Sequence, residues 1–302
     1  MIIEKEQIKK QFGKNIIFDE ALSKYSWFNL GGLAEMFFKP DNIDQIKELL
    51  KCVKNNKQNI HILGAGSNTL FRDGGIKGVT MKLSSKFSYI KLLKDNVIEA
   101  GAATLDKKVS NFALEHSSSG FEFLSCIPGS IGGAITMNSG CYNEDISKIL
   151  LSVKIIDFEG NQKEIKKEDI EFNYRGTNLP NKYIILSAKF RGLKSSKEEI
   201  NRKINLFINK KKDSQPSQIK TCGSTFKNTK EKKAWILIKE SQSENLFVGG
   251  AKISPKHCNF FVNEKNATAS EIEQLINDVK EKVLLKTGIK LDLEIKIIGD
   301  KV

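Results

Sequence analysis

The sequence predicts an α+β protein of two domains. Three observations lead there. The chain has 302 residues, against roughly 150 per domain. Helix-spaced and strand-like apolar runs alternate along it. One polar, proline-containing break, DSQPSQIK at 213–220, interrupts the pattern. A hydrophobic content of 39% and a charged content of 28% are those of an ordinary globular protein, and this length buries a core without staples.

The elements follow in order. Residues 41–56 set Ile43, Ile46, Leu49, Leu50 and Val53 at helical spacing. The stretch 59–83 is a short apolar run, a glycine-rich turn and a second apolar run ending at Leu83. Residues 104–118 read as a helix with Thr104 or Asp106 near its start, and 152–165 as a hairpin turning at Glu159-Gly160-Asn161. YIILSAKF at 183–190 is a buried strand, and 196–211 a long, polar, basic helix. Beyond the break lies a smaller α+β unit. Its helix opens at the capping box Thr268-Ala-Ser-Glu271 and carries Ile272, Leu275, Ile276, Val279 and Val283 on one face. Gly288 stops it, and LDLEIKIIG at 291–299 closes the unit as a strand.

Composition excludes several classes. No window nears 18 uninterrupted apolar residues, so no transmembrane helix is expected. The charged start, MIIEKEQIKKQFGKN, has no secretory apolar region. Five cysteines (Cys52, Cys126, Cys141, Cys222, Cys258), none in a CxxC pair, point to a reducing cytoplasm rather than disulfides or zinc. The net charge of +13 raises nucleic acid as a partner. Yet 45 of the 49 basic residues are lysines, whereas base readout leans on arginine. A solvated lysine-rich surface explains most of the charge. Residues 194–233 hold 12 Lys/Arg against 4 Asp/Glu, a local +8 that suits an anionic small molecule.

Two glycine clusters carry the strongest local signal. Gly64-Ala65-Gly66-Ser67-Asn68-Thr69 starts like a dinucleotide fingerprint but lacks its third glycine, and no helix pattern follows. A Rossmann site is therefore not expected. The loop can still wrap a diphosphate with close backbone donors, or simply be a tight turn. Pro128-Gly129-Ser130-Ile131-Gly132-Gly133-Ala134 suits a loop entering a helix N-terminus, which favours anions; close helix packing is its bland alternative. Together the two suggest one extended cofactor with a diphosphate.

Three further residues invite chemistry. Arg175, one of only four arginines, suggests planar binding of a carboxylate, or else surface placement. Ser224 lies in a donor-rich turn, Cys222-Gly-Ser-Thr-Phe-Lys-Asn228, outside any acyl-transfer triad frame. Glu294 stands between Leu293 and Ile295, either on a strand's wet face or as a site carboxylate. His61, His116 and His257 are far apart, so no metal site is expected, and His257 reads as a hydrogen-bonded structural residue.

In order, WFNLGGLAE (27–35), ILGAGSNTL (62–70), CIPGSIGGA (126–134), NYRG (173–176), CGSTFKN (222–228), GGAKIS-PKHCNF (249–260) and LEIKIIG (293–299) resemble the UDP-N-acetylenolpyruvoylglucosamine reductase, or MurB, family. The likeness is collinear over nearly the whole chain. It implies an FAD-binding domain of the vanillyl-alcohol-oxidase (PCMH) type over 1–210, in two subdomains splitting near residue 83, and a substrate-binding domain over 211–302. It also implies the reaction. NADPH reduces noncovalent FAD, hydride passes from the flavin to the vinyl carbon of the enolpyruvyl ether of UDP-N-acetylglucosamine, and a proton completes UDP-N-acetylmuramate. By position, Ser224 matches the proton donor, and Arg175 and Glu294 the pair that polarises the substrate carboxylate. Tyr174, Lys227 and Asn228 match substrate contacts, and Lys296 a position near the flavin. A cytoplasmic monomer without nucleic-acid or membrane partners is expected.

Departures touch the scaffold: Leu33, Thr229 and Ser241-Gln-Ser243 replace residues that are usually proline, proline and a glycine-containing turn. The short span from Asn228 to His257 matches the family type without an inserted tyrosine loop. The alternatives are another oxidoreductase on the same flavin fold, with FAD tethered through Cys126 or Cys141, and a basic nucleic-acid-binding protein. Neither cysteine sits in a tethering motif, and a yellow colour on purification would remove the second.

Overall fold

The computed structural model describes residues 5–55, 58–179 and 183–302. Asn56, at the end of the first predicted helix, and the first four residues of the N-terminal stretch lie outside them. The chain forms two compact units. One holds residues up to 17 with 36–65 and 79–211; the other gathers 18–35, 66–78 and 212–302. The units are thus discontinuous in sequence, unlike the contiguous division 1–210 and 211–302, because the chain crosses between them inside the strands Ile16–Ala21, Leu33–Phe38 and Ile76–Met81.

The first unit is built on two strand systems. Ile60–Ile62 runs parallel to the end of Ile76–Met81, pairing Ile60 with Val79 and Ile62 with Met81. After residue 83 the chain makes a separate five-stranded antiparallel sheet. Its order is Gln162–Lys166, Leu150–Asp157, Tyr183–Arg191, Val97–Gly101, Ile90–Leu92. Tyr183–Arg191 is buried along most of its length, as its unbroken apolar run predicts. The hairpin Leu150–Asp157 to Gln162–Lys166 turns where Gly160 adopts φ +89°, a conformation costly for other residues. Helices Asp106–Glu115 and Ile131–Thr136 contribute Val109, Ala113, Ile131 and Ile135 to a core with Phe121, Phe123 and Phe190.

Neither residue foreseen at the start of the 104–118 helix caps it. Leu105 is the N-cap, without a side-chain hydrogen bond. The Thr104 hydroxyl instead donates to the carbonyl of Tyr89 at 3.0 Å. The basic helix runs Lys197–Ser214 with only Ile200 and Ile204 buried, a few residues into the polar break.

In the second unit, helix Ala269–Thr287 begins at the foreseen box: Thr268 Oγ1 accepts from the Glu271 amide, and Glu271 accepts from the Thr268 amide at 2.9 Å. Gly288 ends it at φ +70°. Its apolar face packs on Phe226 and Phe261. The predicted strand 291–299 is shorter, Lys296–Ile298, pairing parallel with Thr69–Phe71. The reason is a change of partner: Leu293 bridges Phe226, while Lys296 and beyond turn to Thr69. A chain serving two neighbours in turn cannot keep one ladder.

Candidate active site

Within the first unit, the two glycine clusters come together at their facing ends. A Cβ built on Gly64 would lie 3.1 Å from Ser130 Oγ and 3.7 Å from the Gly133 Cα. A side chain there would fill the space between the loops. The Lys82 ammonium donates to the Gly64 carbonyl, bringing a partly buried cation to the same place. Burial, and then the neighbouring Lys39, push the Lys82 pKa down, so an anion alongside would be favoured. Lys82 lies outside both motifs and was not foreseen; its only sequence signal is a lysine at the end of an apolar strand. Backbone approach, a missing Cβ and a cation are what a diphosphate requires, so these residues fit the FAD that the resemblance implies.

The second loop enters helix Ile131–Thr136 as expected, with Ser130 in extended conformation at its N-cap. The amides of Ile131 and Gly132, however, donate to the carbonyls of Thr104 and Ala102, both at 2.9 Å. Those two donors serve the fold. Gly132 is also packed tightly: its Cβ would sit 3.2 Å from that of Ala102, whereas one on Gly133 has room at 3.6 Å from Ser130 Oγ. Beneath the loop lies Asp106. Its carboxyl is fully buried, and a Cβ on Gly129 would come within 2.4 Å of Oδ2. Burial holds the Asp106 pKa well above the usual carboxylate range.

Arg175 occupies the tip of the tight hairpin between Phe172–Asn173 and Gly176–Thr177, with φ +61°. Its Nη2 donates to the Gly140 carbonyl at 3.0 Å, and its guanidinium stacks 4.8 Å from the centre of the Tyr174 ring. The Asn138 side chain donates to the Asn173 carbonyl at 3.3 Å. One stretch, 128–140, therefore carries both the second glycine loop and the seat of Arg175.

Ser224, Glu294, Lys296 and the rest of the first glycine loop, from Gly66, belong to the second unit. Ser224 bridges Phe260, and its neighbour Thr225 accepts from the Glu294 amide at 2.8 Å. Asn68 Nδ2 donates to the Glu294 carbonyl at 3.0 Å, and the Lys296 amide donates to the Asn68 carbonyl at 2.9 Å. Gly66 is forced: at φ +72°, a Cβ would stand 1.7 Å from the Tyr25 carbonyl oxygen. Glu294 is half-buried and Lys296 exposed. Asn228 is exposed, and its Oδ1 accepts from the Ala234 amide at 3.0 Å, so it also starts helix Ala234–Glu240. His257 takes the structural role foreseen for it. Its Nδ1 accepts from Asn259, whose side chain hydrogen-bonds both ways with the Phe226 backbone. Among the described residues, no group of three or more His, Cys, Asp or Glu could hold a metal.

A family model for the UDP-N-acetylenolpyruvoylglucosamine reductase C-terminal domain matches residues 215–298, and one for an FAD binding domain matches 34–166. The UDP-N-acetylenolpyruvoylglucosamine reductase of Pelagibacter ubique (strain HTCC1062) is 47% identical over 300 residues, covering 97% of this chain and 99% of that protein. That of Wolbachia pipientis wMel is 42% identical over 283 residues, covering 93% and 95%. The crystal structure of the MurB reductase from Thermus caldophilus superposes with a TM-score of 0.82 at 28% identity, covering 94% of this chain and 98% of that one. The expected α+β fold with an FAD-binding domain is therefore the fold observed. The chain belongs to the UDP-N-acetylenolpyruvoylglucosamine reductase family and is an oxidoreductase built on an FAD-binding domain.

Proposed function

We propose that this chain reduces the enolpyruvyl ether of UDP-N-acetylglucosamine to UDP-N-acetylmuramate, a step of peptidoglycan precursor synthesis, with NADPH as reductant. The observation that carries the reading is the backbone clamp in the second unit, which ties Thr225, next to Ser224, to Glu294 and ties Glu294 to Asn68 of the first glycine loop. FAD would be held noncovalently by Gly64, Ala65, Gly66, Ser67, Asn68 and Thr69, by Pro128 to Ala134, and by Lys296. Bound there, FAD supplies the hydride. Most of the cofactor's contacts would come from 1–210 and most of the substrate's from 211–302, with Lys296 reaching the flavin and Arg175 and Tyr174 the substrate, in a cytoplasmic monomer.

The protein's own residues do the remaining work. Arg175 presents a planar cation to the substrate carboxylate and makes added negative charge beside it accessible. Glu294 is the second member of that pair and helps to stabilise the enolate-like intermediate. Ser224 gives its proton to the carbon next to the carboxylate. A serine hydroxyl is a very weak acid, so it donates only to a strongly basic centre, and that carbon becomes one once hydride has arrived. Tyr174, Lys227 and Asn228 contact the sugar nucleotide.

Separating the half-reactions tests this. Ser224→Ala should leave reduction of bound FAD by NADPH nearly normal and slow anaerobic reoxidation by the enolpyruvyl substrate by ~10²–10⁴-fold. Ser224→Cys should recover part of the rate. Wild-type reoxidation in Ser224→Ala would sink the assignment.

A further inference from the structure

Helix Ile131–Thr136 stops in a way that ordinarily calls for glycine. The Asn138 amide donates to the Ile135 carbonyl at 3.1 Å, and the Ser139 amide reaches back to the Ala134 carbonyl at 2.8 Å. That pair of bonds sets residue 138 in the left-handed region, where glycine is the usual choice. Asn138 stands there instead, at φ +40°. It is 6% exposed, so its side-chain amide needs partners inside the protein.

Both ends of that amide are used. Nδ2 donates to the Asn173 carbonyl at 3.3 Å, and Oδ1 accepts from the Ser147 amide at 3.1 Å. The first bond fastens the hairpin that carries Arg175. The second closes the neck of the loop 138–147, in which Gly140 pairs with Asp145 and Cys141 with Glu144. The carbonyl of that Gly140 accepts from the Arg175 guanidinium. Arg175 is thus held through its own backbone and through its side chain, and both holds lead to Asn138.

The hairpin needs such support. Its ladder has two residue pairs, Phe172 with Thr177 and Asn173 with Gly176, and Arg175 at its tip has φ +61°. An isolated two-stranded ribbon is marginal even at greater length, and a left-handed arginine persists only where its surroundings fix it. The Thr177 hydroxyl adds a 3.4 Å bond to the Thr136 carbonyl, at the end of the same helix. The segment that ends the glycine-loop helix is therefore also the base of the hairpin.

We propose that Asn138 is a positioning residue for the reduction: it aims the Arg175 guanidinium at the substrate carboxylate without touching the substrate itself. This rests on the reading of Arg175 as the ligand of that carboxylate. Arginine binds a carboxylate through a planar fork, which tolerates little tilt. A small displacement of such a group can cost on the order of 10²-fold in rate. Flavin reduction by NADPH does not use the fork, so the two half-reactions should respond differently.

Asn138→Gly separates aim from fold. Glycine suits the left-handed stop at least as well, so the helix end is kept while both side-chain bonds are lost. The holoenzyme should keep its flavin and be reduced by NADPH at close to the wild-type rate. Anaerobic reoxidation by the enolpyruvyl substrate should slow by roughly 10–10²-fold. Combined with Arg175→Lys, Asn138→Gly should slow reoxidation little further, because its effect passes through the same residue. Arg175 can also be watched without substrate. The chain has four arginines, so nitrogen-15 labelling of arginine gives few side-chain Nε–H signals, and the one missing in Arg175→Lys is its own. Relaxation of that signal should report an ordered side chain in the wild type and a mobile one in Asn138→Gly. Asn138→Asp is equal in size and still accepts from Ser147, but sets an oxygen against the Asn173 carbonyl. It gives the same readings if the glycine variant does not fold.

Wild-type reoxidation in the variant would overturn the proposal. So would equal slowing of both half-reactions, slowing that multiplies with that of Arg175→Lys, or an Arg175 side chain as ordered as before. If Arg175→Lys itself reoxidises at the wild-type rate, the proposed role of Arg175 fails, and the relaxation measurement alone decides whether Asn138 holds it.

Discussion

Asp106 shows how a single side chain can set a pH dependence. Its carboxyl is fully buried under Gly129, and burial raises its pKa from the ordinary 3.8. The folded state therefore keeps a proton that the unfolded chain has released. Stability must then fall as pH rises above the ordinary Asp range, and go on falling until the raised folded value is passed. Asp106→Asn removes that slope. Melting of the holoenzyme from pH 4 to pH 8 should show the variant gaining on wild type as pH rises; a constant difference would mean that the carboxyl is ionised in place.

The neighbouring glycines separate packing from ligand binding. Gly133 has room for a Cβ near Ser130 Oγ, whereas Gly132 abuts Ala102. Gly133→Asp should fold and purify without yellow colour, because it sets an anion beside the paired loops. Gly132→Ala should instead lower the melting temperature, by roughly 1–3 kcal/mol of overpacking. A Gly133→Asp protein that purifies with full flavin content would move the cofactor away from these loops.

At the level of elements, helix Ala269–Thr287 has its N-terminal donors satisfied by two separate devices. Thr268 and Glu271 form the reciprocal box, and the Asp73 carboxylate accepts from the amides of Ala269 and Ser270, both at 2.9 Å, and from the Ser270 hydroxyl. Thr268→Ala should cost about 0.5–2 kcal/mol, and Asp73→Asn a comparable amount, because a charged acceptor is lost at the positive end of the helix. Denaturant midpoints would measure both. Half of this arrangement was legible: the Thr268…Glu271 spacing announces itself, whereas Asp73 comes from a segment 196 residues earlier.

The same contrast runs through the site. The proposed site residues Ser224, Arg175 and Glu294 and the two glycine loops stand in local motifs, so the resemblance alone points to them. Lys82 and the orientation of Gly132 could not be read from the chain, because each depends on a tertiary neighbour. The strand expected over 291–299 failed for the same reason. Its alternation records burial, while its hydrogen bonds are divided between Phe226 and Thr69.

For the whole molecule, the charge distribution is the property to test. The local excess of +8 in residues 194–233 should assist capture of a sugar nucleotide diphosphate. Apparent affinity for the UDP-sugar should weaken as salt rises from 50 to 500 mM, since the Debye length shrinks from roughly 14 to 4 Å. Tight, salt-sensitive binding to duplex DNA by flavin-free protein would overturn that reading of the charge.

The discontinuous second unit also has a bearing on synthesis at the ribosome. Its strand Thr69–Phe71 waits for Lys296–Ile298, and Arg72 for the Glu273 carboxylate that it grips at 2.7 and 3.0 Å. Until more than two hundred further residues have emerged, neither of those pairings can form, and the apolar side chains of Phe28, Leu30 and Leu70 lack the core that later covers them. At about 5–20 residues per second, that exposure lasts on the order of ten seconds or more. Nascent chains stalled so that residue 211 has just left the ribosome should therefore be cut more readily by protease within 18–35 and 66–78 than the finished protein, while the five-stranded sheet, whose strands have all emerged by then, already resists.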